Sequence, residues 1–138
     1  MGVRVRVKIR CGGNNVITSA LVNSGYEADE PEIHIPLALA KKLTLPLENI
    51  ESERYSVVGT EVSAYILGYV EVRVETEDRV SNWVKAKAVS VPGEYEVLLS
   101  DALTEALGVE IIKPKQGLWK FADEDKVRPS EKAKYWIK

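Results

Sequence analysis

Residues 3–10 alternate without a break. Val3, Val5, Val7 and Ile9 fall on one side, and Arg4, Arg6, Lys8 and Arg10 on the other. Successive side chains of an extended strand point to opposite faces, so this segment is satisfied with one face buried and the other in water. A helix would scatter the same valines around its circumference. A chain that carries such a strand needs further strands to cover the apolar face. Gly12-Gly13-Asn14-Asn15 tolerates positive φ and suits a hairpin turn. Val16 to Val22 then reads as the returning strand, ending at Asn23-Ser24-Gly25.

The same alternation recurs further on. Tyr55 to Val58 and Val62 to Leu67 flank Gly59-Thr60-Glu61, a hairpin signature, and Tyr69 to Thr76 alternates through Val70, Val72 and Val74. Trp83 to Val91 is another strand, with Val84, Ala86 and Ala88 on one face, and Val97-Leu98-Leu99 is a short apolar one. Two short helices are expected. The first follows Pro36, which suits an initial helical turn, and carries Leu37, Leu39, Ala40 and Leu43. The second is capped by Ser100 or Asp101 and stopped by Gly108. Val109 to Ile112 and Gly117 to Phe121 read as closing strands. The pattern predicts a mostly β, small closed barrel with two short helices, spanning residues 1–121. A charged tail comes after it over 122–138, loose unless its aromatic end, Tyr135-Trp136, docks.

At 138 residues and a net charge of -2, the chain is one ordinary domain without a dominant attraction for nucleic acid. Cys11 and His34 are the single cysteine and histidine, which excludes an internal disulfide, a cysteine zinc site and multi-histidine metal sites. A reducing cytoplasm is the expected setting. Neither a signal peptide, a myristoylation signal nor a membrane span is expected. No phosphate-binding glycine loop is present, and no cofactor is expected.

Ala20-Leu21-Val22 runs into Asn23-Ser24-Gly25, and Val97-Leu98-Leu99-Ser100-Asp101 runs into a helix containing Leu103, with the Gly59 hairpin between them. In this order the sequence resembles the retropepsin-like aspartic peptidases, in particular the small single-domain archaeal type. That family reads apolar-apolar-Asp-Thr/Ser-Gly at the first segment and apolar-Leu-Leu/Ile-Gly-x-Asp-x-Leu at the second. The hairpin is its substrate-covering flap. The helix from Pro36 and the closing strands also fit, so the likeness spans residues 3–121. Asn23 stands where the family carries its catalytic Asp, and Ser100 stands at its usual Gly.

The resemblance implies an acid-protease-like barrel with one lobe per chain and a homodimer, because only one such motif is present. Residue 23 of each copy would activate a water, Ser24 would brace the two loops, and Gly25 would give the loop its freedom. Val58, Gly59 and Thr60 would meet a peptide or protein substrate. The N-terminal strand and the tail would be candidates for a shared dimer sheet. Two carboxylates sharing a proton are what this chemistry needs. An amide can bind the water but cannot accept its proton, so the chain with Asn23 is expected to be inactive. Such an Asn belongs either to a natural pseudo-peptidase or to an Asp-to-Asn change in an active parent. The alternative is a non-catalytic peptide- or partner-binding module on the same fold. A third reading is a small barrel that binds nucleic acid through Arg4, Arg6, Lys8 and Arg10.

Plainer readings apply to the other conspicuous residues. The basic stripe is expected to be a solvated strand face, His34 a structural histidine, and Cys11 a small turn residue. Trp83 and Trp119 are expected in the core, and Trp136 as an anchor to a partner chain. Asp101 is expected to brace the start of the second helix. The acidic run Glu27, Asp29, Glu30 and Glu32 is expected in a solvated loop, with a possible part in choosing basic peptide residues.

Overall fold

A computed structural model describes residues 2–23, 25–46, 51–57 and 60–138, with side chains described outside 51–63. It is mostly β, 45% strand and 10% helix, and six of its strands close into a barrel. Strand β1 (Val3–Cys11) pairs antiparallel with β2 (Asn14–Val22) along its whole length, Val3 opposite Val22 and Cys11 opposite Asn14. Val3, Val5, Val7 and Ile9 are buried, as their alternation requires.

Next comes β3 (Glu32–His34), followed by α1 (Leu37–Lys42), β4 (Glu51–Val57), β5 (Thr60–Val74) and β6 (Val84–Ser90). Strand β7 (Val97–Leu99) then enters between β2 and β3, parallel to the first and antiparallel to the second. Strand β3 lies parallel to β6, β6 antiparallel to β5, and β5 returns to β1, which closes the ring. Helix α2 (Asp101–Ala106) leads into a separate hairpin of β8 (Val109–Lys113) and β9 (Leu118–Phe121). Ile33, Ile35, Leu39, Leu99, Leu103 and Phe121 fill the interior between barrel, helices and closing hairpin.

Two expected strands, Val62 to Leu67 and Tyr69 to Thr76, are one. Strand β5 runs on through Gly68, where its register against β6 shifts and φ is 114°. The shift is a β-bulge. Its first part pairs with β4 and its last part with β1, so one long strand belongs to both a projecting hairpin and the barrel.

The tail docks on its own chain. Arg128 and Trp119 exchange backbone hydrogen bonds at 2.7 and 3.0 Å. The Glu131 amide donates to the Arg4 carbonyl at 2.9 Å, and the Arg4 amide donates to the Ser130 hydroxyl at 3.0 Å. These bonds cover the edge of β1 that β5 leaves open, so both edges of the N-terminal strand are taken within the chain. Trp136 donates from its indole to Thr18 Oγ1 at 3.0 Å and from its backbone to the Tyr95 carbonyl at 2.7 Å. The anchor expected on a partner chain therefore sits on this one.

Candidate active site

The parallel pairing of Ala20-Leu21-Val22 with Val97-Leu98-Leu99 brings the ends of β2 and β7 together. The loop leaving β2 and the helix leaving β7 therefore meet at one place. The Asn23 amide donates to the Leu99 carbonyl at 3.4 Å, and the Asn23 carbonyl accepts the Tyr26 amide at 3.0 Å. Asn23 is half-buried. Its Oδ1 accepts the Gly25 amide at 3.0 Å, so the side chain helps to fold its own loop. A carboxylate oxygen can accept that same bond.

Asp101 ties the loop to α2. Its amide donates to the Tyr26 carbonyl at 2.8 Å, and its Oδ1 accepts the amides of Ala28 at 3.0 Å and Ala102 at 2.7 Å. This is the bracing role expected of it. Ser100 caps the helix by accepting the Leu103 amide at 3.2 Å, and is fully buried. Sequence reasoning assigned no site role to Tyr26 and placed Glu32 in a solvated loop. The Tyr26 hydroxyl donates to the Glu32 carboxylate, which is only 4% exposed. Glu32 opens β3, whose other two residues, Ile33 and His34, are also buried, and the short strand was the available signal.

Beside the loop lies a cleft of about 530 Å³ lined by Glu27, Asp29, Glu30, Glu32, Lys87 and Asp101. A second cleft, of about 340 Å³, shares Asp101 and is walled by Val22, Thr104, Val109 and Ile111. Of the residues expected to act, Asn23 and Gly25 lie in this loop, with Gly25 exposed. Ser24, Val58 and Gly59 lie outside the described residues. Thr60 opens β5 opposite Val57. Among the described residues, no group of three or more His, Cys, Asp or Glu is placed to hold a metal ion. None of the described helices is long and apolar enough to cross a membrane.

The remaining candidates have structural surroundings. His34 is 1% exposed, and its Nδ1 lies 2.9 Å from the Glu96 carbonyl. Burial holds its pKa below the ordinary value, against a smaller opposing effect of that hydrogen bond, so the ring is neutral. Nδ1 then carries the proton, and Nε2 has no hydrogen-bond partner. Arg4 pairs with the Glu96 carboxylate. Trp119 is buried, as expected, and meets Phe121 edge to face at 5.1 Å. Trp83 is not in the core. It lies half-buried just before β6, on the outer face, with the guanidiniums of Arg10 and Arg73 against its ring. Comparison of the sequence with protein-family models and with curated proteins yields no match.

Proposed function

We propose that the chain is one half of a retropepsin-type aspartic endopeptidase pair, carrying at residue 23 an amide in place of the catalytic carboxylate. The observation that carries this reading is the side-by-side pairing of residues 20–22 with 97–99. It joins two motifs far apart in sequence, and in the family's chemistry those motifs build the catalytic loop and its support. The bonds from Asp101 to Tyr26 and Ala28 supply a rigid seat for such a loop.

In the pair, residue 23 of each copy faces a shared water and the substrate carbonyl. A charged carboxylate takes a proton from the water, the hydroxide attacks the carbonyl carbon, and the second, protonated carboxyl donates to the carbonyl oxygen. With Asn23 in both copies neither proton movement is available, so peptide is held and not cut. A lost general base alone lowers the rate by about 10²–10⁴-fold. The single cysteine suits work in a reducing cytoplasm.

A second reading, a module that binds peptides without cutting them, is favoured by the carboxylate-lined cleft next to the loop. Basic peptide residues are its natural occupants.

The deciding experiment compares this chain with Asn23→Asp on a mixed peptide library from about pH 3 to about pH 7, the range over which a carboxylate pair titrates. Sedimentation of both proteins gives their oligomeric state. Cleavage by the Asp form alone is the expected result. A folded, dimeric Asp form that cuts nothing sinks the peptidase reading and leaves the binding module. Cleavage by the chain with Asn23 overturns the assignment of residue 23.

A further inference from the structure

The outer face of β1, β5 and β6 carries one like-charged cross-strand pair beside two opposite-charged ones. Strand register sets Lys8 directly opposite Arg73, and Arg10 directly opposite Glu71, which in turn faces Lys85. Like charges directly opposite each other on neighbouring strands are unfavourable. The guanidinium of Arg10 lies 3.8 Å from the centre of the Trp83 ring, and that of Arg73 lies 4.5 Å from it. The ammonium of Lys85 lies 4.8 Å from the ring of Tyr69, which is 51% exposed. In a chain of net charge -2, four cations and two aromatic rings thus share one sheet face. The stripe of β1 gave only part of this; Arg73, Lys85 and the rings come from other strands.

We propose that this face binds single-stranded nucleic acid, with Lys8, Arg10, Arg73 and Lys85 on its phosphates and Trp83 and Tyr69 against its bases. Arg10 is already set for an anion with two oxygens. Glu71 occupies Arg10 through two bonds, at 3.0 and 3.3 Å, and Glu75 occupies Arg73 at 2.7 Å. The Glu71 side chain is 49% exposed, so a phosphate can take its place at the guanidinium. The cations run across a sheet surface and not around a cavity, which fits a polymer better than a free anion. The exposed Tyr69 ring and the half-buried Trp83 ring add affinity for unpaired bases, whereas bases in a duplex are stacked away from them. The proposal is independent of residue 23.

The test is fluorescence anisotropy of the full chain with a labelled oligouridylate of ~20 nucleotides, longer than the 4–16 that one small barrel covers. Four phosphate contacts on a single strand predict a loss of about 50-fold in affinity between about 50 and about 200 mM salt. Lys8→Glu faces Arg73 with an opposite charge. It is expected to raise the urea midpoint while weakening binding by at least about tenfold. Removing the internal competitor, Glu71→Gln, is expected to tighten binding. Lys115→Glu, in the turn between β8 and β9, makes the same charge change elsewhere and is expected to leave affinity within about twofold, since exposed charges beyond a Debye length are largely screened. Absence of binding overturns the proposal. So does an equal loss from Lys115→Glu, tighter binding to a duplex of the same length, or retention on phosphatidylserine vesicles in place of the oligonucleotide.

Discussion

The Glu32 amide donates to the Ser100 hydroxyl at 3.0 Å, and the Ser100 amide donates back to the Glu32 carbonyl at 3.1 Å. The same hydroxyl accepts the Leu103 amide, so one buried oxygen serves β3 and α2 together. Ser100→Ala leaves two amides without that acceptor. The expected loss is about 1–3 kcal/mol, read from urea denaturation. An unchanged midpoint would show that neither bond matters to the fold.

His34 makes stability depend on pH above the carboxylate range. Its folded pKa lies below the unfolded value near 6.5, so the unfolded chain binds the proton more readily. Stability is therefore full above about pH 6.5 and falls as the pH drops toward the folded value. The slope approaches about 1.4 kcal/mol per pH unit for one proton. Glu94 opposes the shift weakly by favouring the charged ring. The depressed carboxylates of Glu71, Asp123 and Glu124 add their own loss only lower, as pH falls below their unfolded values near 4.5 and 3.8. Urea midpoints of the wild type and His34→Gln between about pH 5 and about pH 7 check this. The wild type should weaken across that window, and the variant should be nearly flat.

Trp136 is the far anchor of the tail. Trp136→Ala removes its bond to Thr18 and its contact with the core, for an expected loss of about 1–2 kcal/mol. Hydrogen exchange gives a local reading. The Trp136 amide, bonded to the Tyr95 carbonyl, should lose protection in the variant, while β1 amides paired with β2 keep theirs.

Gly68 isolates a backbone effect. A methyl group there meets nothing within 4 Å, yet the residue sits at φ 114°. Gly68→Ala is expected to lose about 1–3 kcal/mol through conformation alone. Equal stability of the two proteins would show that β5 can remake its bulge without glycine.

Much of this architecture was legible in short windows. Strand β1 and the two short helices arise from period and caps, because each is decided by its own residues. Strand β5 was read as two because Gly68 interrupts the local pattern; pairing with β6 and β1, which no window contains, carries the strand through. Trp83 shows the reverse. Its parity against Val84, Ala86 and Ala88 points to the outer face, whereas its place at the head of an alternating strand suggested the core. The site was legible only in outline. Asn23 and Asp101 could be singled out by motif order, but the hydroxyl of Tyr26 and the buried carboxylate of Glu32 depend on how a loop folds back on β3. The tail carried no periodicity at all, and its order comes from bonds to Arg4, Thr18 and Tyr95.

The insertion of β7 between β2 and β3 sets a timetable for a chain emerging from the ribosome. Residues 14–34 supply two neighbours that cannot be joined until residues 97–99 arrive to lie between them. The exposed edge at Arg4 waits longer still, for Ser130 and Glu131. The β1–β2 hairpin can pair at once from its own residues, yet the outer edge of β1 is among the last parts of the sheet to be completed. That order sets closure of the sheet at the slow rates of sheets built from distant partners.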